Sequence, residues 1–154
     1  MSWYRGTGIT PSNESQLELD LFLLCLRGFE EGKLLARPLT QRIVVLTDNP
    51  ATWTQSEGPP FCRPDLLFHA GPLALCVFVD GPVHLHKTIS HRDRLINEAM
   101  EARGIPYLRL PYLLRSAEVR DAMYAQIVDF VNRYVSQMSP TDPQGVLEDT
   151  SGSP

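Results

Sequence analysis

One acid and two histidines lie at the end of the most apolar run of the sequence. The run LALCVFVD ends at Asp80, and the following GPVHLH contains His84 and His86. Asp65 begins the preceding apolar segment, and Glu18 lies in an apolar stretch near the start of the chain. Carboxylates bind divalent cations such as Mg²⁺, and a histidine of near-neutral pKa accepts a proton from water. These residue types therefore predict a divalent-ion site.

Each of these side chains also has a purely structural interpretation. Asp65 can be a turn residue that bonds backbone amides, and Asp80 can belong to an Asp-Gly turn. Glu18 can close a capping box that starts at Ser15. The two histidines can lie in a solvated loop; a zinc site would need Cys62 or His91 beside them, and no finger-like spacing supports it. The sequence leaves both interpretations open at each position.

Hydrophobic periodicity and turn residues predict the elements that position these side chains. The predicted order is a helix at 13–30, strands at 42–47, 64–69 and 73–80, a helix at 88–104 that stops at Gly104, a strand at 105–110, and a last helix capped by Ser116. The polar stretch 48–64, with its Asn-Pro and Gly-Pro-Pro, is predicted to be a loop. The chain therefore alternates between helices and strands, as α/β proteins do.

The connections predict how the strands pair. Strands 64–69 and 73–80 are joined by a tight turn, so they are expected to be antiparallel. Strands 73–80 and 105–110 are separated by a helix, and such a crossover makes its two strands parallel. Because the run 73–80 is apolar on both faces, we expect it at the centre of one mixed sheet.

Composition limits the class of protein. The 154 residues predict a single domain over 1–137, followed by a polar, Pro-rich tail at 138–154 that is expected to be disordered. The net charge of -4 provides no overall basic field, so a nucleic acid would need a local patch. Three cysteines without CxxC spacing indicate a reducing, cytoplasmic setting. No signal segment and no run of roughly 20 apolar residues is found, so no membrane partner is expected.

The element order and a set of short motifs together resemble the restriction-endonuclease-like nuclease superfamily, whose common core is α-β-β-β-α-β around a central mixed sheet. Here a C-terminal helix follows that core. The likeness covers roughly residues 14–112. It is nearest to very-short-patch mismatch-repair endonucleases and to the nuclease-like domains at the ends of some bacterial helicases, including phage-defence helicases. The motifs are Pro64-Asp65, Phe78-Val79-Asp80-Gly81 with His84, Arg92-Asp93-Arg94, and the segment from Gly104 to Arg109.

The resemblance implies an endonuclease that cleaves DNA with Mg²⁺ or Mn²⁺, as a subunit or domain of a DNA repair or phage-defence assembly. By this resemblance Asp65 and Asp80 would bind the metal and Glu18 would be a supporting acid. His84 would be a general base or a phosphate contact. Carboxylates with Mg²⁺ would activate water and offset the charge that develops on the phosphate.

Two departures from the family's pattern favour a second interpretation. Phe78 stands at the usual glutamate position, and Asp80 lies two residues further on, about 7 Å along a strand. The motif lysine is missing as well, and Lys87 could replace it only by reaching back. The chain is therefore either a nuclease with a reduced metal site or a catalytically inactive nuclease-like module that binds DNA or docks a partner protein. Whether it is an enzyme stays open.

A local basic patch is predicted on the helix that follows the motif. Lys87, Arg92 and Arg94 lie near the start of this helix and are candidates for contact with phosphates. A solvated helix face explains the same residues. Arg109, in the last strand, is expected to pack its stem and to reach the sheet edge or an acid with its head group.

Overall fold

The computed structural model describes residues 13–48, 59–81 and 87–138. Within these ranges the elements are α1 (Asn13–Glu30), β1 (Val44–Val45), β2 (Phe61–Cys62), β3 (Leu66–Ala70), β4 (Leu73–Asp80), α2 (Lys87–Ala102), β5 (Tyr107–Pro111) and α3 (Ala117–Gln137). The predicted α/β class is confirmed. His84, His86 and nearly all of the predicted tail lie outside the described residues.

A three-stranded mixed sheet in the order β3-β4-β5 lies at the centre of the fold. β3 is antiparallel to β4, with Leu66 opposite Val77, and the turn between them passes through Gly71 at a positive φ of 61°. β4 is parallel to β5, with Val79 opposite Leu110, because the chain crosses over through α2. The predicted pairing and the central position of β4 are therefore confirmed.

The side chains of the central sheet alternate between two cores, because successive residues of a strand point to opposite faces. On one face the sheet packs against α1 and α3, and this core includes Leu17, Leu21, Leu66, Phe68, Val77, Val79, Leu110, Ile127 and Val131. On the other face it packs against α2 and the β1–β2 pair, through Val44, Leu46, Cys62, Leu67, Cys76, Phe78, Ile96 and Met100. The helices thus cover both faces of the sheet.

The first predicted strand is shorter than expected and pairs outside the central sheet. β1 has two residues, and it pairs antiparallel with β2 in a separate two-stranded sheet. The prediction of a loop over 48–64 was wrong at Phe61 and Cys62, because two paired residues carry no periodic signal of their own. Leu39, which precedes β1, forms a single bridge to Leu67 on the outer edge of β3.

The ends of the helices follow local side-chain chemistry. The Ser116 hydroxyl accepts a hydrogen bond of 3.1 Å from the amide of Val119, so the predicted cap of α3 is confirmed. Gly104 follows α2 with a positive φ of 71°, a conformation that glycine adopts without steric cost. The capping box was wrong, because α1 begins at Asn13 and Glu18 therefore lies inside the helix. Among the described helices, none combines the length and the apolar character needed to cross a membrane.

Candidate functional site

Glu18 and Asp65 line the same cleft, which has a volume of about 460 Å³. Glu18 comes from α1, where Phe22 lies one turn further along the same side of the helix and lines the cleft as well. Asp65 comes from the segment that leads into β3, together with Arg63. The rim includes Gln41, whose φ of 59° is uncommon for a residue other than glycine. Two of the predicted acids are therefore brought together by elements that are distant in sequence.

Asp65 is also bonded to the backbone of the neighbouring strand. Its Oδ2 atom accepts a hydrogen bond of 2.6 Å from the amide of Val79, and its own amide donates to the carbonyl of Val77 at 2.9 Å. The carboxylate thus continues the ladder between β3 and β4 at a point where the preceding residue, Pro64, has no amide hydrogen to donate. The structural interpretation of Asp65, bonding of backbone amides, is observed for one carboxylate oxygen.

Asp80, at the end of β4, has a different set of neighbours. The Nη1 atom of Arg109 lies 3.1 Å from the Oδ1 atom of Asp80 and 3.8 Å from that of Asp93. The Nε atom of Arg109 donates a hydrogen bond of 2.8 Å to the Oδ1 atom of Asn97. The guanidinium carbon lies 4.2 Å from the centre of the Phe78 ring. We call these five residues the Arg109 cluster.

The sheet register and the helix period explain how the Arg109 cluster forms. Phe78 and Asp80 are two residues apart on β4, so they share a face. Arg109 lies directly opposite Phe78 in the parallel pairing of β4 and β5. Asp93 and Asn97 are four residues apart on α2, which places them on the same side of the helix. Arg109 was expected to reach the sheet edge or an acid, and it reaches two acids.

Burial makes the Arg109 cluster electrostatically important. The side chains of Arg109, Asp80 and Asp93 are only 16%, 13% and 20% exposed. A charge this far from water is stable only when oppositely charged or polar partners surround it. Among the described residues, the Nη2 atom of Arg109 has no hydrogen-bond partner, and the π face of Phe78 offsets part of that loss.

The donor set of the Arg109 cluster does not fit a divalent cation. Mg²⁺ requires several oxygen ligands at about 2.0–2.1 Å in an octahedral arrangement. At Asp80 the neighbouring positive charge is already a guanidinium, and the Phe78 ring supplies no oxygen. Asp65 bonds the backbone of β4 and lines the α1 cleft, where Asp80 is not among the lining residues. Across the described ranges, no three His, Cys, Asp or Glu residues form a metal-binding group.

The predicted basic residues lie at and after the start of α2. Lys87 is its first residue, and Arg92 and Arg94 are exposed one to two turns later. The Nη2 atom of Arg94 lies 2.7 Å from the Nδ1 atom of His91. Burial raises the pKa of Cys62 to about 11, and the positive charges of Arg109 and Arg92 oppose this shift. The positive charge of Arg92 therefore influences the pKa of Cys62 on β2.

Sequence reasoning missed that Phe78 and Arg109 form a unit. The signal that could have revealed this unit is the register between the two parallel strands. Strand predictions at 73–80 and 105–110 do not fix that register, because they leave several alignments possible. Comparison of the chain with protein families, with curated proteins and with solved structures found no match.

Proposed function

We propose that this chain is a non-catalytic nuclease-like module that binds DNA. The observation that supports the proposal is the Arg109 cluster. In a metal-dependent nuclease, carboxylates surround a divalent cation; here Asp80 and Asp93 surround the guanidinium of Arg109. Phe78, which stands where the resembled family has a glutamate, covers that guanidinium with its ring. The departure at Phe78 thus has a physical explanation, a protein cation in place of a metal.

The internal contacts of the cluster argue against exchange of Arg109 for a metal ion. Arg109 has ion pairs to two carboxylates, a hydrogen bond to Asn97 and a ring contact, and the metal would have to replace all of them. The displaced guanidinium would then lie close to the metal ion, a second positive charge, in a largely buried place. Electrostatic repulsion between the two cations opposes this, since it is weakly screened away from water.

Exposed arginines supply the proposed contact with DNA. Arg92 and Arg94 lie on α2, and Arg63 precedes β3 with its side chain exposed. Arginine binds phosphate with a planar fork of donors, and each neutralised phosphate releases a condensed counterion. Because the whole chain has a net charge of -4, this patch must act locally, and its affinity for DNA should fall steeply with added salt.

The proposal is tested by incubating the purified chain with linear and supercoiled DNA, first with Mg²⁺ or Mn²⁺ and then with EDTA. We expect no cleavage under any condition and retained binding in EDTA. The Arg92→Gln/Arg94→Gln double variant should bind duplex DNA more weakly, with a log–log salt slope reduced by about 1.8, since each lost phosphate contact removes about 0.9.

The matched control is the Arg120→Gln/Arg133→Gln double variant, which removes the same charge from α3, where both residues pair with neighbouring acids. If the two double variants lose affinity equally, the α2 arginines are not the contact and the proposal fails. Metal-dependent cleavage by the wild-type chain would also contradict it.

A metal-dependent nuclease is the second candidate, and one specific observation favours it: Glu18 and Asp65 share a cleft. Two carboxylates from different elements are the minimum that such chemistry needs. Cleavage that disappears in both Glu18→Gln and Asp65→Asn but survives in Glu98→Gln, an exposed acid of α2, would select this candidate. Under either candidate we propose a larger assembly, such as one containing a helicase, as the working partner.

A further inference from the structure

The outer face of the two-stranded sheet carries apolar side chains that neither core uses. Val44 and Cys62 point inward and are buried, whereas Ile43, Val45 and Phe61 are 54%, 49% and 49% exposed. An antiparallel sheet with one solvent-exposed face normally has polar residues on that face. The fold buries only about half of these three side chains, so the remaining apolar area is available to a ligand.

The pairing register places an arginine at one end of this apolar row. Val45 lies directly opposite Phe61. Continuing that alternation, Ile43 and Arg63 extend the same face by two residues on each strand, about 7 Å further along. Arg63 is exposed, and so is Arg42 beside the row. We define the Phe61 face as Ile43, Val45, Phe61 and Arg63.

We propose that the Phe61 face binds single-stranded nucleic acid, with one base stacked on Phe61 and adjacent phosphates held by Arg63 and Arg42. This inference rests on the proposed DNA-binding function and adds to the α2 arginines a second contact, one that takes a single strand. A ring that lies on an open sheet face can stack only on a base that has left its duplex neighbours. Such stacking tolerates any sequence, because every base has a π face.

Charge and size favour a nucleic acid over a protein partner. The row carries the exposed arginines Arg42 and Arg63, and Arg63 also lines the α1 cleft with Asp65 and Glu18. These acids and Asp48 have bonds of their own: Asp48 accepts from Arg103 at 2.6 Å, Asp65 accepts from the amide of Val79, and Glu18 has a partner as well. Three half-exposed side chains also provide far less area than the roughly 800 Å² per partner of a standard protein interface.

The experiment measures binding of a labelled oligo-dT strand and of a duplex of equal length by fluorescence anisotropy in EDTA. Phe61→Ala should weaken binding of oligo-dT about tenfold, the loss expected for one stacked base, and Phe61→Trp should retain it. Arg63→Gln should reduce the log–log salt slope by about 0.7. Leu114→Ala, which removes an apolar side chain that is 80% exposed elsewhere, should change nothing.

Different failures have different meanings. If Phe61→Ala binds oligo-dT as tightly as the wild type, the inference is overturned. If Phe61→Leu retains full affinity, stacking is overturned, since leucine keeps the apolar area without a π face. Binding of duplex alone refutes this inference and leaves the proposed function intact, whereas binding of neither refutes both. Circular dichroism and thermal melting verify that every variant is folded.

Discussion

Arg109 is the residue on which the interpretation of the site depends. It joins β5 to the end of β4 and to α2 through Asp80, Asp93 and Asn97. Removing one member of a buried ionic group costs much more than removing one member of an exposed pair, because the remaining charge is left without compensation in a poorly hydrated place. The chain contains an exposed pair, Arg133 and Asp129, that permits a direct comparison.

We expect Arg109→Met to lower the free energy of unfolding by about 3 kcal/mol, measured by urea denaturation, because it leaves Asp80 and Asp93 without their cation. Arg133→Met should cost less than about 0.5 kcal/mol, since its pair with Asp129 is largely in water. Adding Asp80→Asn to Arg109→Met should restore part of the stability, because it removes one of the two carboxylates that have lost the arginine. Equal costs for the two single variants would show that the cluster is not a stabilising unit.

At the scale of elements, α1 and α3 approach closely at a glycine. A Cβ atom built on Gly28 of α1 would collide with the hydroxyl of Tyr124 on α3. Glycine inside a helix is otherwise unfavourable by about 1 kcal/mol relative to alanine. A side chain at this position therefore requires Tyr124 to move, or the two helices that cover one face of the sheet to separate slightly.

Gly28→Ala is expected to lower the melting temperature, because the overpacking cost of about 1–3 kcal/mol exceeds the gain in helix propensity. In a Tyr124→Phe background the colliding oxygen is absent, so the same substitution should be neutral or stabilising. A double-mutant cycle measured by thermal denaturation gives the coupling between the two positions. Additive effects would indicate that the helices separate easily and that their contact is loose.

At the scale of the whole molecule, the three cysteines report on the integrity of both cores. All three are free and buried, Cys25 in the core beneath α1 and α3, and Cys62 and Cys76 in the core beneath α2. Burial raises the pKa of Cys25 to about 12 and that of Cys76 to about 12, since a thiolate is poorly solvated there. The folded protein should therefore hold these thiols in the neutral, unreactive form.

Folding stability should fall as the pH rises above about 8.5, where the thiols of the unfolded chain begin to ionise. The unfolded state then binds fewer protons than the folded state, so the free energy of unfolding decreases with pH until the folded pKa values near 11 and 12 are reached. Urea denaturation at pH 7, 8.5 and 10 measures this decrease in the free energy of unfolding. In Cys25→Ala the decrease with pH should be smaller, because one of the three buried thiols is absent. Rapid labelling of the native protein by a thiol reagent at pH 8 would contradict the burial of the cysteines.

Local patterns predicted much of the fold. The bounds of α1 and β4 agree with the expected 13–30 and 73–80, because an apolar period and a flanking turn are properties of neighbouring residues. The cap at Ser116 and the glycine after α2 were predicted for the same reason. β2 escaped prediction because its two residues become a strand only through pairing with Val44 and Val45.

The sequence by itself determined the order of the three helices and the three central strands, the pairing of those strands, and the presence of acids at the ends of two neighbouring strands. Only the tertiary structure decided which partner each acid has. Asp80 and Arg109 are 29 residues apart along the chain, and their ion pair follows from one particular register between β4 and β5. Register is set by the packing of whole faces against α2, a non-local condition, and for this reason no local pattern revealed that an arginine stands beside Asp80.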